Sequence, residues 1–88
     1  MLFRSLREED LNKITNLGRS TPRATLIFNS LFHTPLMTIK DAERITGLKN
    51  PNALALVNKL VGLGILKEIT GKKRKKVFAY QNYIDLFD

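Results

Sequence analysis

The stretch TIKDAERITGLKNPNALALVNKLVGLGILKEITGKKRKKVFAY, residues 38–80, alternates start and stop signals with apolar runs. Thr38 to Asp41 has the spacing of a capping box with Asp41 in the acidic role. The threonine oxygen can accept the amide three residues on, and the acid can accept the amide of Thr38 in return. A short helix therefore opens here, with Ile39, Ala42 and Ile45 turned inward and Lys40, Asp41, Glu43 and Arg44 outward. Gly47 ends it, because glycine takes a left-handed C-terminal cap without strain. Asn50 followed by Pro51 starts another helix: asparagine caps well, and proline at the first helical position has no amide hydrogen to leave unpaired. That helix covers residues 51–63, with an inward stripe of Ala53, Val57, Leu60 and Val61 and with Leu56 and Leu63 on its flank. Gly64 breaks it. Residues 65–70 and 77–80 then read as two strands, joined through Gly71 and the run Lys72, Lys73, Arg74, Lys75, Lys76 into a hairpin with a basic tip.

Upstream, Leu6, Leu11, Ile14 and Leu17 share one face of a helix over residues 5–17, and Glu8, Glu9 and Asp10 in its first turns favour its dipole. Gly18 stops this helix; Thr21 caps and Pro22 opens the next, which runs to about Phe32. Leu26, Ile27, Phe28, Leu31 and Phe32 make it apolar almost all round, the mark of a central buried element. His33, Thr34 and Pro35 end it, with the His33 imidazole read as a cap on the terminal carbonyls. Residues 36–39 are too short for anything but an extended approach to the capping box. Beyond the hairpin, Tyr83, Ile84, Leu86 and Phe87 recur at helical spacing, so a last short helix docks on the core.

The expected fold class is α+β and mostly helical: a winged helix-turn-helix with a three-helix core, a two-stranded β-hairpin wing and extra terminal helices, in which residues 51–63 are the recognition helix. One domain spans 1–88, divided into an N-terminal helix and connection (1–20), the helix-turn-helix (38–63), the wing (64–80) and a C-terminal helix (81–88). Its core is expected to gather Leu26, Ile27, Ile45, Val57, Leu60, Val61, Leu66 and Phe78.

The 88 residues are enough for one globular domain, and 43% hydrophobic against 26% charged residues is the balance of a folded chain rather than a disordered tail. The longest uncharged apolar stretch, residues 60–66, is far short of the ~20 residues a spanning helix needs. Arg4, Arg7, Glu8 and Glu9 leave no room for the apolar centre of a signal peptide, so a cytoplasmic location and no membrane partner are expected. Zero cysteines exclude disulfides and thiolate chemistry, and a single histidine cannot build a multi-histidine metal site. No nucleophile with a base and no pair of carboxylates stands at a catalytic spacing. No enzymatic activity, metal, cofactor or small-molecule substrate is expected.

The formal net charge of +7 comes from 15 basic and 8 acidic residues, and the hairpin tip alone supplies five of the basic ones. The rest of the chain is therefore close to neutral. So local an excess suits a polyanion, and on this scaffold the expected partner is double-stranded DNA. Lys72, Lys73, Arg74, Lys75 and Lys76 are expected to grip phosphates, Asn58 and Lys59 to approach the groove, and Lys49 and Asn52 to anchor the N-terminus of the recognition helix.

The residues from Pro35 to Phe87 resemble the C-terminal winged helix of Fic-family adenylyltransferases. The likeness is carried by Ile45-Thr46-Gly47 closing the short helix, by the run Val61-Gly62-Leu63-Gly64-Ile65-Leu66-Lys67-Glu68-Ile69-Thr70-Gly71 with Lys72 to Val77 after it, and by Phe78-Ala79-Tyr80 with Tyr83-Ile84-Asp85-Leu86-Phe87 at the end. The histidine-containing, glycine-rich motif that cradles phosphates in those enzymes has no counterpart here, and His33-Thr34-Pro35 is not that motif. The resemblance thus implies an accessory domain, either free-standing or part of a longer protein, and no adenylyl transfer. Such domains tend to carry Asn, Arg or Lys at the positions matched by Leu54, Ala55, Asn58 and Lys59, and two of these four are apolar here. Leucine and alanine cannot make bidentate contacts to base edges, which weakens sequence-specific reading. Leu54 is either buried by a rotation of the helix or used in a protein contact, to a second copy or to a Fic catalytic domain. Two functions follow: a DNA-binding transcriptional regulator or accessory module that contacts mainly phosphates, or a protein-interaction or regulatory domain of a Fic-type adenylyltransferase without DNA binding.

Overall fold

The computed structural model describes residues 2–71 and 75–86, with side chains from Leu6 onward. The fold is α+β and mostly helical, with a small three-stranded antiparallel sheet, and is winged-helix-like. In chain order the elements are α1 (Leu2–Thr15), a 3-10 turn (Gly18–Ser20), α2 (Thr21–Ser30), β1 (Leu36–Thr38), α3 (Ile39–Thr46), α4 (Asn50–Gly62), β2 (Lys67–Glu68), β3 (Val77–Ala79) and α5 (Gln81–Asp85).

Because α1 already begins at Leu2, its first turn holds no acid, and Glu8, Glu9 and Asp10 fall in its middle rather than near its positive end. It stops at Thr15, earlier than expected. Gly18, at φ +63°, then turns the chain into the 3-10 segment. That segment runs straight into α2 with Ser20 already helical, which leaves no extended residue to act as a cap. Thr21 is accordingly the first residue of α2 and not its cap; its hydroxyl donates to the Ile14 carbonyl at 3.1 Å and pins α1 to α2. Along α2 the buried positions are Ala24, Ile27 and Phe28, with Leu31 just beyond, one helical face that leaves Leu26 on the other at 50% exposure. Leu26 is therefore no part of the core. The end of α2 is closed by the backbone amides of Leu31, Phe32, His33 and Thr34, while the His33 side chain is exposed.

The capping box forms as read: the Thr38 amide donates to Asp41 Oδ2 at 2.9 Å and the Asp41 amide to Thr38 Oγ1 at 3.2 Å. Gly47, at φ +76°, ends α3 with its amide on the Glu43 carbonyl at 2.8 Å. At α4 the cap shifts by one residue. Lys49 is extended and its carbonyl accepts the amides of Asn52 and Ala53, so Asn50 is already helical and its Nδ2 donates to Glu43 Oε2 at 3.2 Å instead. The buried stripe of α4 is Ala53, Leu56, Val57 and Leu60. Relative to the expected stripe the helix is turned so that Leu56 faces in and Val61 moves to the half-buried flank.

The sheet has a third strand that the extended approach conceals. β1 pairs antiparallel with β3, Met37 opposite Phe78 and Thr38 opposite Val77, and β2 lies on the other side of β3. Thr38 thus serves as the last residue of a strand and as the cap of a helix. β2 is shorter than residues 65–70 because Ile65 and Leu66 are held under the end of α4, both amides donating to the Leu60 carbonyl. Past Glu68, the Ile69 amide still reaches the Val77 carbonyl at 2.9 Å before the chain turns away. β3 ends at Ala79, since Tyr80 is the cap of α5. Phe87 and the tip residues Lys72, Lys73 and Arg74 lie outside the described residues.

The core forms between α2, α3, α4 and the sheet. Of the expected set, Ile27, Val57, Leu60, Leu66 and Phe78 are buried together, and Ile45 and Val61 pack against them half-buried. Ile14, Phe28, Leu31, Met37 and Tyr80 complete the centre. Around Tyr80 the rings form a cluster: Phe28 and Phe32 meet edge to face at 5.0 Å, and Tyr80 stacks on Tyr83 at 5.6 Å. Among the described residues, no helix is long and apolar enough to cross a membrane.

Candidate nucleic-acid interface

With Ala53, Leu56, Val57 and Leu60 buried, the 3.6-residue period dictates what α4 shows to solvent. Asn52, Ala55, Asn58 and Lys59 are exposed, and Leu54 is half-buried. The two edges of this face drop into two separate clefts. On one edge Asn52, Ala55 and Lys59 meet Arg19, Ser20 and Arg23 around a cleft of about 260 Å³. On the other edge Asn50 and Leu54 meet Thr38, Ile39, Lys40, Lys75 and Lys76 around a cleft of about 540 Å³. Each lining holds three basic side chains, and among the described residues neither includes a carboxylate.

Each cleft is organised by the fold beneath it. Lys59 Nζ donates to Ser20 Oγ at 3.3 Å, and Arg23 Nε donates to the Thr46 carbonyl at 3.4 Å, so the 3-10 turn orients Lys59 and the C-terminal end of α3 orients Arg23. On the wing side, the Glu68 carboxylate accepts the amide and hydroxyl of Thr70, both at 2.5 Å, and the amide of Gly71 at 2.6 Å. The Thr70 hydroxyl and the Gly71 amide hold the Glu68 carboxyl below its ordinary range, with desolvation opposing them and the Thr70 amide and the charge of Lys76 adding to the effect. Glu68 thereby fixes the turn from which the basic run departs. Lys75, next to last in the run, lies at φ +53°, a left-handed conformation that costs a non-glycine residue about 1–2 kcal/mol.

Of the residues singled out from the sequence, Asn52 and Lys59 come together in the smaller cleft and Lys75 and Lys76 in the larger one. Asn58 lies exposed on α4 and lines neither; Lys49 is exposed at the α4 N-terminus, also outside both. Lys72, Lys73 and Arg74 lie outside the described residues. Leu54 forms part of an apolar floor with Ile39, so the rotation of α4 half-buries it. Sequence reading missed Arg19, Arg23 and Lys40. Lys40 was visible as an outward residue of α3, but nothing local signals that the start of α2 lies beside the end of α4.

Chemically, both clefts offer positive charge and hydrogen-bond donors. Among the described residues no group of three or more His, Cys, Asp or Glu side chains is placed to hold a metal ion. Comparison of the chain with protein families, with curated proteins and with solved structures finds no match in any of the three.

Proposed function

We propose that the chain is a duplex-DNA-binding winged-helix module that acts mainly on phosphates. The observation that carries this reading is the outward face of α4, free of carboxylates and bordered on its wing side by Lys40, Lys75 and Lys76. An α-helix about 10–12 Å across matches a major groove about 12 Å wide, so α4 can enter the groove while the wing lies along the sugar-phosphate backbone. Lys72, Lys73 and Arg74 extend the same positive run. Lys49 and Asn52 stand at the helix N-terminus, where backbone dipoles also favour a phosphate. Asn52 and Asn58 can pair with an adenine edge and Ala55 can touch a thymine methyl, a short repertoire that favours backbone contact over sequence reading. A left-handed Lys75 fits the same role, because strained residues persist where function holds them.

The likeness of residues 35–87 to Fic-family winged helices adds that the module works as a regulator or accessory domain, in the cytoplasm where the DNA of a bacterial-type cell lies. The apolar floor of Leu54 and Ile39 supports a second reading, in which the same surface docks a protein such as a second copy or a Fic catalytic domain. Fluorescence anisotropy of a labelled random-sequence duplex titrated with the intact chain at low salt separates the two. Saturable binding is expected; its absence favours the protein-contact reading.

A further inference from the structure

We infer that Arg19, Arg23 and Lys59 form a second phosphate clamp, on the edge of α4 away from the wing, so that both strands of one major groove are held at once. The clamp presupposes the duplex-DNA reading and adds to it a contact that does not involve the wing.

Three cations drawn from three elements, the 3-10 turn, α2 and α4, line one cleft, and among the described residues its lining holds no carboxylate to balance them. Elsewhere basic side chains do have acidic partners: Lys13 lies 3.4 Å from Asp10 and Arg44 3.6 Å from Asp41. Gathering like charges without a counter-charge is unfavourable, and an anionic ligand relieves it. The groups are also held ready. Arg23 spends its Nε hydrogen on the Thr46 carbonyl, which fixes the guanidinium plane and leaves its terminal amino groups for a bidentate phosphate contact. Lys59 gives one hydrogen to Ser20 Oγ, and the Ser20 hydroxyl keeps its own proton to donate. The two clefts share no residue, since Asn52, Ala55 and Lys59 line one and Asn50 and Leu54 the other. They therefore lie along opposite edges of α4. A helix seated in the major groove has one backbone on each side, so this edge faces the strand that the wing does not reach.

The test is the salt dependence of random-duplex binding for the intact wild-type chain, for R19A/R23A, and for R44A/K67A, which removes the same charge from residues lining neither cleft. The slope of log K against log salt should become shallower by about 1.8 in R19A/R23A, at about 0.9 per lost phosphate contact, which shrinks the affinity lost over a fourfold rise in salt by about 12-fold. R44A/K67A should keep the wild-type slope. If R19A/R23A melts below the wild type, R19Q/R23Q keeps the side-chain stems and should show the same flattening. Wild-type binding with an unchanged slope in the Arg19/Arg23 variants, or equal flattening in R44A/K67A, overturns the clamp alone. No wild-type binding at low salt overturns the clamp together with the DNA reading.

Discussion

The Tyr80 hydroxyl donates a 2.5 Å hydrogen bond to Oδ2 of Asp10, 70 residues earlier in the chain. Both groups are buried, Asp10 at 1% exposure and Tyr80 at 0%, and the other Asp10 oxygen lies 3.4 Å from Lys13 Nζ. The bond joins α1 to the end of β3, and the Tyr80 ring completes the join by packing 5.7 Å from both Phe28 and Phe32. Burial, the bond to Asp10 and the carboxylate's charge all favour the neutral phenol, so its pKa is pushed far above the ordinary 10.0.

Tyr80→Phe keeps the ring and leaves a buried carboxylate short of a donor, a change that should cost about 1–3 kcal/mol in urea unfolding at neutral pH. The pKa is raised on folding, so the contribution is complete below the unfolded value of 10.0 and is lost as pH rises beyond it. The wild type should therefore lose stability above that pH more steeply than the variant. A neutral-pH difference below about 0.5 kcal/mol would mean that the bond adds nothing beyond ring packing.

The single buried face of α2 is tested by a pair of leucines. Leu60 is fully buried, and Leu60→Ala should cost about 2–5 kcal/mol through lost burial and the cavity left behind. Leu26 is half-exposed, and Leu26→Ala should stay within about 0.5 kcal/mol of wild type. Equal losses at the two positions would show that α2 buries the face assigned here to solvent.

At the base of the wing, Glu68→Gln removes the charge that gathers the Thr70 and Gly71 donors. The Glu68 pKa is lowered on folding, so its contribution is present above the unfolded value of 4.5 and fades as pH falls through the folded one. The melting temperatures of wild type and variant should differ at neutral pH and converge in acid. A difference independent of pH would assign the effect to side-chain shape.

The elements that could be read in advance are those with local signals. Thr38 with Asp41, Gly47 and Gly64 each act within one turn of chain and stand where their chemistry places them, and Pro51 falls one position further into its helix than read. The features that escaped depend on distant residues. β1 is three residues long and exists only through its pairing with β3, some forty positions on. Leu26 sits among apolar neighbours on both sides of α2, so composition could not choose its face. Asp10 reads as a surface acid until Tyr80 is brought to it. The candidate interface divides in the same way. The basic run is plain in the sequence, whereas Arg19 and Arg23 join Lys59 only because the start of α2 lies against α4.

The central claim, a phosphate-directed grip on duplex DNA, is tested most directly by the slope of log K against log salt for the intact chain and for K73A/R74A/K75A. Three to five wing contacts give the wild type a slope of at least about −2.7 to −4.5, an affinity loss of roughly 40- to 500-fold over a fourfold rise in salt. The triple variant should flatten that slope and weaken all duplex sequences about equally, because the lost groups position the protein rather than read bases. Full affinity and an unchanged slope in the variant, or no wild-type binding even at low salt, would contradict the account.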